Sequence, residues 1–63
     1  MEFVASINGK AVFKGDLVYS AFHGKADIVA GAWADSDRDV YITFEHIGQA
    51  KITSCVPVPT GKE

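Results

Sequence analysis

With 63 residues, a formal net charge of −2 and 48% hydrophobic residues, the chain has room for one small folded domain and too little positive charge to be built around phosphate neutralisation. Its single cysteine, Cys55, excludes an internal disulfide framework and a cysteine-based zinc ribbon. No apolar run approaches the ~20 residues of a membrane span. The start, Met1-Glu2-Phe3-Val4, lacks the basic and apolar regions of a signal peptide, so the expectation is a cytoplasmic protein that does not meet a membrane.

In chain order, the residues read as short strands between turns. Residues 2–7 alternate loosely, with Phe3, Ala5 and Ile7 expected on one face. Asn8-Gly9 favours the positive φ angles of a type I′ turn, so residues 10–13 should return as the second arm of a hairpin. Lys14-Gly15-Asp16 signals a turn, 17–20 the next strand, and 21–25 a loop. Residues 26–33 fit a longer strand. Their alanines leave a helix open, but no amphipathic stripe forms and Gly31 would cost a helix roughly 1 kcal/mol against Ala. A polar turn, 34–38, precedes the clearest strand, 39–45, where Val40, Ile42 and Phe44 alternate with Tyr41, Thr43 and Glu45. After the turn His46-Ile47-Gly48, residues 49–56 are expected to close the set as one strand. The two prolines of the end segment, Pro57 and Pro59, each remove a backbone donor. The expected division is therefore a domain over 1–57 and an irregular tail over 58–63. Turns every eight to twelve residues indicate an all-β architecture, and the short chain favours a five-stranded barrel over a two-sheet sandwich.

Gly15-Asp16-Leu17-Val18, the loop Phe22-His23-Gly24, the Val40-to-Phe44 strand, the Gly48 turn and the Lys51-containing strand together resemble an SH3-like small barrel of the Tudor type. The resemblance covers roughly residues 14–56. Its nearest layout is the Tudor-like C-terminal module of DNA-repair helicases, which implies docking on transcription or repair machinery. That module is basic, whereas this chain is acidic. The plasmid-borne type II dihydrofolate reductases share the opening and length. Their Val-Gln-Ile-Tyr strand is matched here by Lys51-Ile52-Thr53-Ser54, so the resemblance does not extend to reductase activity. The hairpin over 2–13 has no required counterpart in a Tudor core. It is expected either to close the barrel, which the proline-containing tail cannot, or to project as an arm.

Chemistry-bearing residues are few. Asp35, Asp37 and Asp39 have the spacing that opens a calcium loop, but Val40 stands where such a loop needs glycine and His46 where it needs glutamate. The expected role is a solvated turn capped by side-chain-to-backbone bonds. His23, His46 and Cys55 are zinc-ligand types at spacings that match no compact zinc pattern. Two surface histidines and a buried thiol are expected instead, with no metal and no cofactor. Activating Cys55 as a nucleophile needs a neighbouring cation or helix N-terminus that an all-β chain does not offer, so no enzyme is expected. If Val18, Val40 and Ile42 face the core, Tyr19 and Tyr41 face outward. With Phe22 and Trp33 they would form a partner-binding surface, since exposed aromatics concentrate interface energy. Asp35, Asp37 and Asp39 would steer a basic partner towards it. The expected function is a non-catalytic adaptor or inhibitor that binds another protein, of the kind phages and mobile elements encode, with a homodimer open. The alternative is a nucleic-acid module using Lys10, Lys14, Lys25 and Lys51 with the same aromatics.

Overall fold

The structure, a computed structural model, describes residues 2–58. Seven strands run in order: β1 (Phe3–Ile7), β2 (Lys10–Phe13), β3 (Leu17–Ser20), β4 (Lys25–Ala34), β5 (Val40–Phe44), β6 (Gln49–Lys51) and, after a 3-10 turn over Ile52–Ser54, β7 (Cys55–Pro57). The chain is all-β as expected. β1 and β2 form their own two-stranded sheet, and the other five strands lie in the order β6-β5-β4-β3-β7, every described pairing antiparallel.

β4 explains how so short a chain encloses a core. Its first half pairs with β3 through Lys25–Ile28, and its second half pairs with β5 from Val29 to Ala34. The register shifts between Val29 and Gly31, and such a bulge bends a strand and increases its twist. The five strands therefore fold over a core of Ala5, Ile7, Val12, Val18, Val29, Ile42, Phe44, Ala50 and Cys55, with Val4, Ile47 and Ile52 packed at its margin. The turn before β3 ties onto the same bend. Gly15 N–H donates to the Val29 carbonyl and Val29 N–H to the Asp16 carbonyl, while the Asp16 carboxylate accepts from Phe13 N–H at 2.9 Å. This is the structural work of the Gly15-Asp16 step.

Three expectations are corrected. No ladder joins β6 to β7 among the described residues, so the sheet is bent but open rather than a closed five-stranded barrel. Residues 49–56 are two strands, because the 3-10 turn reverses the chain and delivers β7 to β3 with Ser20 opposite Cys55 and Val18 opposite Pro57. Pro57 is in a strand, and Val58 N–H still donates to the Leu17 carbonyl. The bonds Ala21–Ser54 and Val58–Leu17 put Pro57 at a non-hydrogen-bonded position, so its missing N–H costs the ladder nothing. Residues 59–63 lie outside the described residues. Finally, the hairpin over 2–13 does not supply the last strand of the larger sheet. It packs Ala5, Ile7 and Val12 into the core, while a register shift at Val4 turns Phe3 outward, edge-on to Phe13 at 5.9 Å.

Candidate functional site

With Ile42 and Ala50 facing the core, alternation turns Tyr41 and Lys51 to the outer face of the β4-β5-β6 half-sheet. The register aligns Trp33, Tyr41 and Lys51 in one cross-strand row and Gly31, Thr43 and Gln49 in the next. Trp33 and Tyr41 stack with ring centroids 4.5 Å apart and planes 11° from parallel. The Trp33 indole N–H donates to Gln49 Oε1 at 3.0 Å, which fixes the outer ring of the pair. An open groove of about 460 Å³ runs beside this row, lined by Phe22, Tyr41, Gln49, Ala50, Lys51 and Ser54.

Phe22 reaches the groove from the β3–β4 turn and is 76% exposed. That turn is locally fastened. Ser20, fully buried, shares a 2.9 Å hydrogen bond between its hydroxyl and His23 Nδ1, accepts from His23 N–H, and the Phe22 and His23 rings meet edge-to-face at 5.0 Å. β6 pairs with β5 only, as a sheet edge. The Phe44–Gly48 bond sets the pairing phase so that the backbone N–H groups of Gln49 and Lys51 point away from β5, towards the open edge.

The carboxylates stand at the end of the row. Asp35, Asp37 and Asp39 each bring an oxygen within 4.8 Å of the others. Asp35 Oδ1 accepts the N–H groups of Asp37 and Asp39, at 2.9 and 3.0 Å. That is the side-chain-capped turn expected, with Arg38 at φ +68° completing the reversal. Asp39 Oδ2 lies 3.4 Å from Lys51 Nζ, both side chains half exposed. The turn is therefore self-sufficient, and the nearest cation is the chain's own.

Of the expected surface residues, Phe22, Tyr41 and Trp33 come together and Asp39 joins them through Lys51. Tyr41 is half-buried rather than fully outward because Trp33 covers one side of it. Val40, expected in the core, is likewise half-buried at the strand end. Tyr19 does not line the groove. It stands exposed on β3 between Ala26 and Val56. Lys51 alone of the four lysines lines the groove. Lys10 borders a separate hollow of about 240 Å³ between β2 and the β3–β7 pair, Lys14 sits in the β2–β3 turn, and Lys25 opens β4 opposite Ser20.

The zinc-type residues are dispersed among separate partners. His23 is on Ser20, and Cys55 donates to the Lys51 carbonyl at 3.4 Å, its thiol pushed above its ordinary pKa by burial. His46 is on Asp27, a residue the sequence reading overlooked. Asp27 is buried, and its carboxylate accepts from the backbone N–H groups of Ile28, His46 and Ile47 and pairs with His46 Nδ1 at 2.8 Å. The signal was available: Asp27 shares strand parity with Val29, so it had to face inward. Asp27 pins the β5–β6 turn to β4 and so sets where β6 begins.

Comparison with known protein families, curated proteins and solved structures finds no match to this chain. Among the described residues no helix is long and apolar enough to cross a membrane.

Proposed function

We propose that this chain is a non-catalytic protein-binding module with an SH3-like, Tudor-like layout, acting as an adaptor or inhibitor. The fold reading is supported by the strand order: four consecutive antiparallel strands, a 3-10 turn, and a last strand that returns to the first of the four. The functional reading rests chiefly on one observation. Phe22, from a loop, and Tyr41, from the sheet and stacked on Trp33, border one open groove on a strand edge. Aromatic groups of this kind dominate interface energies, and an open strand edge can receive an extended segment. The thiol of Cys55 and the hydroxyl of Ser20 are buried and hydrogen-bonded within the chain, to the Lys51 carbonyl and to His23.

The test is capture from cell lysate on the tagged protein, with and without nuclease, alongside Phe22→Ser and Tyr41→Ala. The expected outcome is a protein that survives nuclease and is lost from both variants. Capture that vanishes with nuclease moves the function to nucleic acid through Lys10, Lys14, Lys25 and Lys51. Capture that persists undiminished in both variants removes the groove.

A further inference from the structure

We infer that β6 is a self-pairing edge: two copies of the chain join antiparallel along β6, about a two-fold axis at Ala50, and their larger sheets become one continuous sheet. This goes beyond the binding reading above. The strand edge is taken by a second copy, while the aromatic face beside it stays open to a partner.

The two edges of the larger sheet, β6 and β7, are chemically unlike. On β6 the N–H groups of Gln49 and Lys51 point away from β5. On β7 the same phasing, set by the Ala21–Ser54 and Val58–Leu17 bonds, turns the polar groups of Cys55 and Pro57 outward. Cys55 N–H is already bonded to the Ile52 carbonyl, and Pro57 has no N–H. The β7 edge therefore offers acceptors without donors over Cys55–Pro57, and a head-to-tail stack of β6 on β7 would form only half a ladder. β6 on β6 forms a full one. With Gln49 opposite Lys51 of the second copy, the two residues exchange both of their N–H···O bonds, and the two-fold repeats the exchange. The Lys51 carbonyl holds the Cys55 thiol at 3.4 Å and keeps a second lone pair for this bond.

The side chains suit the same pairing. Ala50 faces the core and meets its own copy at the axis, where paired residues stand closest, with Cα atoms about 4.5 Å apart, and a methyl group fits there. Lys51 is the only charged residue of β6. It falls opposite Gln49 of the second copy rather than opposite Lys51, and it keeps Asp39 at 3.4 Å. No like charges meet directly and no unpaired charge is covered. The outer row Trp33, Tyr41, Lys51 continues into Gln49 of the second copy. Two Trp33–Tyr41 stacks then face the same side, three strand spacings or ~14 Å apart across the sheet, so the dimer presents the aromatic surface twice. Edges of three residues cover far less than the ~1,200 Å² of a stable complex. The dimer is therefore a species of concentrated solution in exchange with the monomer.

The experiment is amide hydrogen exchange by NMR on the full chain at about 20 µM and about 1 mM, with sedimentation equilibrium on the same samples. In the monomer the Gln49 and Lys51 N–H groups meet solvent and exchange fast at either concentration. In the dimer they are bonded, so both should exchange about twofold more slowly or better at the higher concentration, once half the chains are paired. Lys51→Pro isolates the edge. Lys51 has φ −63° and ψ 143°, which proline adopts without strain, and the N–H it loses takes no part in the β5 ladder. This variant should melt like the native chain, sediment as a monomer and show no concentration dependence at the Gln49 amide. Lys51→Ala removes the same side chain and its ion pair but keeps the N–H, and should dimerise as the native chain does. The inference is overturned if the native Gln49 and Lys51 amides exchange equally at both concentrations, a result that stands even if Lys51→Pro fails to fold. It is overturned if Lys51→Pro dimerises, if Lys51→Ala loses the dimer too, or if the mass rises without protection at Gln49 and Lys51, which puts the contact elsewhere. Unprotected amides in the pure chain, with lysate capture lost in Lys51→Pro and kept in Lys51→Ala, would give the edge to a partner's strand instead. The binding reading fails separately, through capture that ignores Phe22→Ser and Tyr41→Ala.

Discussion

Asp27 shows how much one side chain can organise in a chain of this size. A buried carboxylate is costly unless its oxygens are satisfied, and this one is met by three backbone N–H groups and an imidazole. The His46 side-chain hydrogen bond is the leading cause that holds the Asp27 carboxyl well below the usual carboxylate range, with the backbone donors adding to it against the opposing effect of burial. The same bond, helped by the charge of Asp27, raises His46 above its ordinary value. The two shifts act on opposite flanks of the pH scale. The lowered Asp27 contributes stability that is complete above its unfolded pKa, near 4, and is lost as pH falls towards its folded value. The raised His46 contributes stability that is complete below its unfolded pKa, near 6.5, and is lost as pH rises through its folded value. Thermal melts should therefore show the pair contributing most between about pH 4 and pH 6.5. His46→Gln should remove the alkaline limb and also shrink the acid one, because the bond it removes is the leading cause of the Asp27 shift. Asp27→Asn should flatten both limbs and lower the melting temperature at every pH, because an amide offers one acceptor oxygen where two now serve four contacts. A melting profile for Asp27→Asn that matches the native one would remove Asp27 from this role.

At the scale of elements, turn chemistry decides more than strand propensity. Asn8 and Gly9 adopt φ of +53° and +80° and produce the hairpin the sequence predicts. A Cβ at Gly9 would meet nothing within 4 Å, so Gly9→Ala tests backbone strain alone. It should cost about 1–2 kcal/mol in urea unfolding, whereas Gly31→Ala, also in open space but without a positive φ, should change stability little. Equal losses at both sites would show that the left-handed conformation is not what Gly9 supplies. The strands with clean alternation, β3 and β5, lie where the sequence puts them to within a residue. The break between β6 and β7 was not legible, because Ile52 and Thr53 are good strand formers. What overrides them is non-local: a continuous strand would carry Cys55 and Val56 past β3, while one tight turn seats Cys55 in the core. The position of Pro57 in that strand was hidden for the same reason, since its tolerance depends on which ladder position it occupies.

For the molecule as a whole, the core and the proposed surface are nearly separate sets of residues, which follows from the half-sheet having one face for each. The outward aromatics Phe22, Trp33 and Tyr41 were legible from alternation and loop placement. Their grouping, and the exclusion of Tyr19, depended on the bend in β4, which only the pairing register reveals. Separation makes stability and binding independently testable. A 63-residue chain has roughly 3–9 kcal/mol of stability at typical per-residue values. Ile42 is fully buried beneath the Trp33–Tyr41 row, and Ile42→Ala should cost about 2–5 kcal/mol through lost burial and the cavity left behind. That is a large share of the total, so its urea midpoint should fall sharply or its transition disappear. Phe22→Ser, on a ring that is mostly in water, should stay within about 0.5 kcal/mol of the native chain while losing partner capture. If Phe22→Ser instead unfolds the protein, the ring belongs to the fold and the groove wall it forms is a cover for the sheet end. If Ile42→Ala is harmless, the bent half-sheet does not enclose the core described by these contacts.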